Sequence, residues 1–135
     1  MGVTPFPEHF DPPFHRALGI QMGMSEDGEG VAWITVDPER HYGNAWVHGG
    51  LVAALVDISS GITIARSVKG DPMNTIEGTI ELKVNYLQKV VDGDIKATAH
   101  LLHIGKRIAV TEVDIKNGDR LVAKGLATFI LRDQE

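Results

Sequence analysis

A histidine, two glycines and an aspartate, close together in the chain, are the residues that could do chemistry. His48, Gly49 and Gly50 come just before an apolar stretch, and Asp57 is the only charged residue between His48 and Arg66. If the stretch is a helix, its first N–H groups have no helical partner and lie at the positive end of the helix dipole. Glycine lets a ligand approach such groups, which would stabilise an oxyanion. Backbone donors near Gly49 and a carboxylate two turns further on therefore predict a site for acyl transfer.

The element that must position these groups is a helix, predicted over residues 47–67. A rotation of about 100° per residue divides it into two unlike faces. The small face carries the carboxylate and consists of Gly50, Ala53, Ala54, Asp57, Ser60 and Gly61. The bulky face consists of Leu51, Val52, Leu55, Ile58 and Ile62. We expect the bulky face to pack on a sheet. The small face either meets solvent or buries Asp57 with a partner, and the apolar helix favours burial.

Composition and charge narrow the class of protein. The 135 residues, 43% of them hydrophobic, predict one globular domain. The net charge of -5 argues against nucleic-acid binding, which usually needs a basic face. The chain has no cysteine, which excludes disulfides, thiolate catalysis and cysteine-bound zinc. Its first residues do not resemble a signal peptide, and no stretch resembles a membrane span. We therefore expect a soluble, cytoplasmic protein that does not bind membranes.

Turn signals and periodicity divide the rest of the chain. Residues 1–12 are proline-rich and predict a loosely held arm, followed by a single domain over 13–135. A short helix is predicted over 13–18, and strands over 20–24, 31–36, 75–87, 95–104, 108–116 and 121–131. In the third strand, Thr79 falls on the polar face of an alternating pattern. The result is an α+β domain with one long helix on an antiparallel sheet of about six strands. A second copy could cover the sheet edges, so we expect a homodimer or homotetramer.

The order of these motifs resembles that of the hotdog-fold acyl-CoA thioesterases of the phenylacetate-degradation and 4-hydroxybenzoyl-CoA thioesterase type. The resemblance rests on the HGG motif at 48–50, on Asp57 in the following helix, and on the strand segments 79–87, 103–106 and 109–111. It implies a central helix wrapped by a curved antiparallel sheet, with active sites between two subunits. The implied reaction hydrolyses an acyl-CoA thioester to the free acid and coenzyme A. It needs no cofactor, because coenzyme A is part of the substrate.

The resemblance also implies roles for individual residues. Asp57 matches the helix carboxylate that acts as nucleophile or general base, and Gly49 matches the residue whose N–H polarises the thioester carbonyl. Thr79 matches a serine or threonine near the reacting water in some members. Asn44 is the candidate for an asparagine that precedes the HGG motif, although Tyr42 holds the family's usual place for it.

Further candidates surround this centre. His48 is either a catalytic base or a residue that fixes the start of the helix by hydrogen bonding. Two basic residues suit the phosphates of coenzyme A, and a tryptophan could wall the acyl pocket. The predicted substrate-binding residues are Gly50, Trp46, Ser60, Lys106 and Arg107. On a regular strand His100 and His103 would point to opposite faces, so no metal site is predicted.

Two other functions stay open at this point. A binding module of the same fold would hold an acyl-CoA without cleaving it, but it would not need the central carboxylate of Asp57. A hotdog hydratase is less favoured, since its usual order of aspartate before histidine is absent: His48 precedes Asp57. The residues do not specify the acyl group.

Overall fold

The computed structural model describes residues 2–5 and 10–133. These residues form four helices: α1 (Pro13–Leu18), α2 (Pro38–His41), α3 (Gly49–Ala65) and α4 (Pro72–Thr75). They form seven strands: β1 (Thr4–Pro5), β2 (Gln21–Met24), β3 (Gly30–Thr35), β4 (Ile76–Tyr86), β5 (Asp94–Ile104), β6 (Ile108–Asn117) and β7 (Arg120–Leu131). The predicted long helix and six predicted strands are present, with ends within two residues of those expected. Within the described ranges, no helix is long and apolar enough to cross a membrane.

All seven strands join one antiparallel sheet in the order β1-β2-β3-β5-β6-β7-β4. The two-residue β1 was not predicted. It comes from the proline-rich arm, where Thr4 and Pro5 pair with Met24 and Gly23 of β2. At the opposite edge, one side of the long strand β4 has no strand partner among the described residues. The curved sheet and its single long helix confirm the predicted α+β hotdog architecture, and the domain boundary at residue 13 stays a prediction.

Close contact between α3 and the sheet builds the core. A Cβ atom at Gly30 would lie 2.3 Å from the Ser59 carbonyl oxygen, so glycine alone permits this approach of helix to β3. The Thr63 hydroxyl accepts the Gly30 N–H at 2.8 Å and donates to the Ala99 carbonyl at 2.9 Å, which joins the helix to β3 and β5. Aliphatic side chains fill the space around these contacts, and each stabilises the fold by about 1.5–3 kcal/mol when fully buried. Leu55 of the helix is among them, with no exposed surface.

Strand β4 departs from the regular alternation that its sequence predicts. Its pairing with β7 shifts between Ile76 and Gly78 and again between Thr79 and Glu81. Gly78 has φ +150°, a backbone conformation that other residues rarely adopt. Thr79 is paired with Phe129, which is buried beneath the helix. The prediction that Thr79 lies on the outer, polar face is therefore wrong, because the bulge between Ile76 and Gly78 turns it toward α3.

Candidate active site

A residue of the sheet holds the carboxylate of Asp57. Asp57 is half-buried on α3, and the Thr79 hydroxyl donates a hydrogen bond of 2.6 Å to its Oδ1 atom. No described residue donates to the second oxygen, Oδ2. The register shift beside Gly78 brings Thr79 to the helix. The arrangement leaves one carboxylate oxygen able to attack a carbonyl or to accept a proton.

The imidazole of His48 caps the start of α3. Its Nδ1 atom accepts the Gly50 N–H at 2.8 Å. An amide N–H can only donate, so Nδ1 carries no proton and the neutral ring carries its proton on Nε2. This geometry matches the interpretation of His48 as the residue that fixes the helix start. The neighbouring Gly49 N–H has no acceptor among the described residues and can bind a ligand.

A buried histidine that sequence reasoning missed aligns this helix start. The segment predicted as a loop contains α2, whose last residue His41 is only 3% exposed. Its Nδ1 atom accepts the Asp37 N–H at 2.9 Å, and Nε2 lies 2.7 Å from the Leu18 carbonyl oxygen. The His41 carbonyl in turn accepts the His48 N–H at 2.8 Å. Asp37 followed by proline is the sequence signal for such a helix start.

A largely apolar cavity of about 420 Å³ opens beside the helix N-terminus. It is lined by Trp46, Val47, His48, Gly49, Gly50, Val52, Tyr86, Leu87, Gln88, Lys89, Val90, Val122 and Ala123. Trp46 and Gly50 were predicted to contact substrate, and both lie here. The Lys89 ammonium lies 5.2 Å from the centre of the Trp46 ring, which is the geometry of a cation–π contact.

Tyr86, the last residue of β4, is a member of this cavity that the sequence analysis did not select. Its hydroxyl donates to the Gly49 carbonyl oxygen at 2.6 Å. Its ring lies 3.3 Å from the place that a Cβ atom of Gly49 would take. Burial raises the pKa of Tyr86 above its ordinary value, so the phenol keeps its proton at neutral pH. The signal was available, because a tyrosine on the apolar face of a strand needs a partner for its hydroxyl.

Within one chain, the backbone donor and the carboxylate lie too far apart to act on one carbonyl group. Gly49 and Asp57 are separated by eight residues of helix, which correspond to a rise of about 12 Å. Reacting groups must come within roughly 3–3.5 Å of their target. Asp57 is also not among the residues that line the cavity. The two groups therefore belong to different regions of the surface of one chain.

The structure does not bring Ser60 to this site. Ser60 has no exposed surface, and its Oγ atom accepts a hydrogen bond of 2.7 Å from the Thr111 hydroxyl of β6. The prediction that Ser60 contacts substrate is therefore corrected, because its side chain is buried and faces the sheet. It lies about 60° around the helix from Asp57, because three residues advance by about 100° each. The small face is therefore divided, because Ser60 is buried against the sheet while Asp57 is only half-buried.

The asparagine and the two basic residues also lie outside the cavity. Asn44 is exposed in a turn closed by the Gly43 N–H and the Trp46 carbonyl, and it makes no side-chain hydrogen bond with a described residue. Lys106 and Arg107 occupy the turn between β5 and β6, where the Arg107 carbonyl accepts the N–H of Leu131.

That turn is remote from the cavity of the same chain. Leu131 ends β7, whereas Ala123, eight residues earlier in the same strand, lines the cavity. Eight residues of strand span about 26 Å. Lys106 and Arg107 therefore lie near the opposite end of the sheet from His48.

The two histidines of β5 do not take the predicted orientation. A bulge between Leu101 and His103 makes His100 pair with Glu112 and His103 pair with Val110, two residues apart on β6. Both histidines consequently lie on the same face, and the prediction of opposite faces is wrong. His100 forms an ion pair with Glu29. Among the described residues, no group of three histidine, cysteine or acidic side chains is arranged to hold a metal ion.

Comparison with known proteins identifies the family of this chain. The model of the thioesterase superfamily matches residues 44–124. The chain is 29% identical over 132 residues to the medium/long-chain acyl-CoA thioesterase YigI of Salmonella typhimurium, covering 88% of this chain and 85% of that protein. It is 32% identical over 119 residues to human acyl-coenzyme A thioesterase 13, covering 85% and 82%.

A solved structure extends the likeness to the fold. The conserved protein PA5202 from Pseudomonas aeruginosa superposes with a TM-score of 0.80 at 29% identity, covering 94% of this chain and 99% of that one. The matched family region contains the HGG motif, Asp57, Thr79 and Tyr86. The chain therefore belongs to the thioesterase superfamily and is a thioester hydrolase with the hotdog fold.

Proposed function

We propose that this protein hydrolyses an acyl-CoA thioester to the free acid and coenzyme A. The main support is that Gly49, whose N–H has no acceptor among the described residues, begins a helix beside an apolar cavity. The Thr79 hydroxyl also holds the carboxylate of Asp57 on the same helix. The two relatives named as acyl-CoA thioesterases support coenzyme A as the thiol part of the substrate. Water and groups of the chain are sufficient for this reaction, so no cofactor is expected.

In the proposed reaction, the Gly49 N–H binds the thioester carbonyl oxygen and stabilises the negative charge that forms on it. The free Oδ2 of Asp57 then acts in one of two ways. It removes a proton from the attacking water, or it attacks the carbonyl carbon and forms an anhydride that water opens. In both routes the carbon–sulfur bond breaks, and coenzyme A leaves as a thiolate that takes up a proton. Thr79 orients the carboxylate in either case.

We further propose that each site is shared by two copies of the chain. The separation of about 12 Å between Gly49 and Asp57 along one helix favours this arrangement. The open edge of β4 also carries exposed apolar side chains, with Ile80 55% and Leu82 39% exposed. A second copy at this edge would cover them and bring its own Asp57 to the cavity.

Three further proposals concern the binding of coenzyme A, the assembly and the location of the protein. Lys106 and Arg107 would contact the phosphates of coenzyme A bound at the partner's cavity, since they are about 26 Å from their own. Exposed leucines at 102 and 126, on β5 and β7, favour association of two dimers into a tetramer. The lack of cysteine fits the reducing cytoplasm as its location.

A screen of acyl-CoA substrates tests the activity itself. Aryl, medium-chain and long-chain acyl-CoAs would be incubated with the protein, with free thiol as the readout. We expect hydrolysis of at least one class, and the apolar cavity together with the YigI relative makes medium and long chains the first choice. Tight binding without release of thiol from any of these substrates would instead support the binding module.

Mixed oligomers test the shared site. Asp57→Asn and Gly49→Pro chains, each inactive alone, would be mixed, unfolded and refolded together. A shared site predicts that hybrid dimers regain one native site, or about a quarter of wild-type activity after random reassortment of a twofold dimer. Activity that stays at the level of the single variants, in a mixture shown to contain hybrids, would contradict sharing.

A further inference from the structure

Tyr86 forms a hydrogen bond with the peptide group between Gly49 and Gly50. This peptide group follows the Gly49 N–H that we propose binds the thioester carbonyl. The Tyr86 hydroxyl donates to the Gly49 carbonyl oxygen at 2.6 Å, and its ring packs against Gly49. The same peptide group carries the Gly50 N–H, which donates to His48 Nδ1 at 2.8 Å. A chain of hydrogen bonds therefore runs in one direction, from the phenol through a peptide group to the imidazole.

The direction of these hydrogen bonds determines whether the free ring nitrogen of His48 is a donor or an acceptor. A peptide whose carbonyl oxygen accepts a strong hydrogen bond becomes a better donor at its N–H, because bonds in a chain polarise one another. The Gly50 N–H consequently holds Nδ1 of His48 as an acceptor, and the ring proton stays on Nε2. His48 lines the cavity beside Gly49. In this tautomer its free nitrogen is a donor and not a base.

We propose that Tyr86 is a positioning residue that, through the Gly49–Gly50 peptide, keeps His48 in the Nε2–H tautomer as a second hydrogen-bond donor to the reacting carbonyl group. The use of this donor rests on the proposed thioesterase function. The hydrogen-bond chain itself does not, so the two can be tested separately.

The first test is spectroscopic and needs no substrate. Nitrogen-15 NMR of protein labelled at histidine distinguishes a protonated ring nitrogen from an unprotonated one. The His48 signals are assigned by their loss in His48→Gln. We expect the wild-type protein at a pH where His48 is neutral to show its proton on Nε2. A wild-type His48 with the proton on Nδ1 would overturn the proposal without any variant of Tyr86.

The second test removes one hydroxyl. Tyr86→Phe keeps the ring against Gly49 and deletes the hydrogen bond, and we expect a measurable population of the Nδ1–H tautomer of His48. The matched control is Ser67→Ala, because the Ser67 hydroxyl also donates to a backbone carbonyl, that of Thr63 at 2.8 Å, and lies beyond the end of α3. The control should leave the His48 signals unchanged. A Tyr86→Phe protein with an unchanged tautomer and a lowered melting temperature would show a structural role only, which contradicts the proposal.

Kinetics then connect the chain of hydrogen bonds to the reaction. Loss of a typical hydrogen bond weakens the donor by a factor of about 2–10, so Tyr86→Phe should lower kcat by that factor with little change in KM. Ser67→Ala should keep the wild-type kcat. A shifted tautomer with unchanged kcat would overturn the role of His48 as a donor in the reaction. If the wild-type protein hydrolyses no acyl-CoA, the proposed function fails, while the NMR result still decides the hydrogen-bond chain.

Discussion

At the scale of single residues, Asp57 is the group whose chemistry can be removed most cleanly. Asp57→Asn keeps the shape and can still accept the Thr79 hydrogen bond, but an amide neither attacks a thioester nor accepts a proton well. We expect kcat to fall by about 10²–10⁴, the range of acid–base catalysis, with acyl-CoA binding retained. Steady-state kinetics and thermal melting would be compared with Asp27→Asn, an exposed turn residue that should behave as wild type. A kcat near the wild-type value would exclude Asp57 from the reaction.

Two substitutions of Gly49 distinguish the effect of losing its N–H from the effect of adding a side chain. Gly49 is the first residue of α3, a position where proline fits a helix, and its φ is not positive. Gly49→Ala adds a Cβ atom 3.3 Å from Tyr86 but keeps the N–H. Gly49→Pro has the same contact and loses the donor. We expect kcat of the proline variant to fall a further 10²–10³ below that of the alanine variant, as for loss of one oxyanion donor.

Equal kcat values for the two folded Gly49 variants would show that the carbonyl is polarised elsewhere. The Gly50 N–H is a weak substitute, because it already donates to His48 Nδ1.

At the scale of elements, β4 contacts α3 at the two positions proposed to act in the reaction, its N-terminus and its middle. Thr79 near its start binds Asp57, and Tyr86 at its end binds Gly49. The bulge at Gly78 makes the first contact possible, and its φ of +150° penalises any side chain. We expect Gly78→Ala to destabilise the fold by about 1–3 kcal/mol and to lower kcat by displacing Thr79.

The matching control for Gly78→Ala is Gly61→Ala on the helix. A Cβ atom there would meet the Phe129 ring at 3.9 Å, an ordinary contact. In the isolated chain this change should stabilise the helix by up to about 1 kcal/mol. Chemical denaturation of both variants measures the difference. A fully active Gly78→Ala protein would show that the bulge does not position Thr79 for catalysis.

At the scale of the whole molecule, the open edge of β4 is the surface that a second copy would cover. Ile80 lies at a bulge of this edge and is 55% exposed. Ile80→Asp would place an unpaired charge in an apolar interface, which is strongly unfavourable. We expect light scattering to show monomers, with hydrolysis lost together with the dimer.

The control for the dimer is Leu102→Asp on β5, where the leucine is 56% exposed but lies away from the β4 edge. It should leave at least a dimer and most of the activity. An active, dimeric Ile80→Asp protein would mean that the copies associate through another surface.

The periodicity of the sequence was sufficient to predict most of the fold. A stripe of bulky residues with a period of 3.6 favours a helix, and alternation of apolar and polar residues between turn signals favours a strand. Because each pattern favours one backbone conformation, α3 and six strands were predictable from local patterns. The groups proposed to react were selected from the sequence for a similar reason. A glycine-rich helix start and a lone carboxylate in an apolar helix are unusual enough in chemistry to be recognised without coordinates.

The tertiary structure decided how these groups are arranged. Bulges in β4 and β5 turn Thr79 toward Asp57 and place His100 and His103 on one face, and no periodic pattern encodes a bulge that forms only against a partner strand. The burial of Ser60 depends on the rotation of α3 over the sheet, and the tautomer of His48 depends on a single N–H donated by Gly50. The sequence by itself determined which reactive groups are present and on which element each one lies, because local residue patterns specify helices and strands. Only the tertiary structure determined which of these groups meet, because the distances between elements depend on packing and not on local sequence.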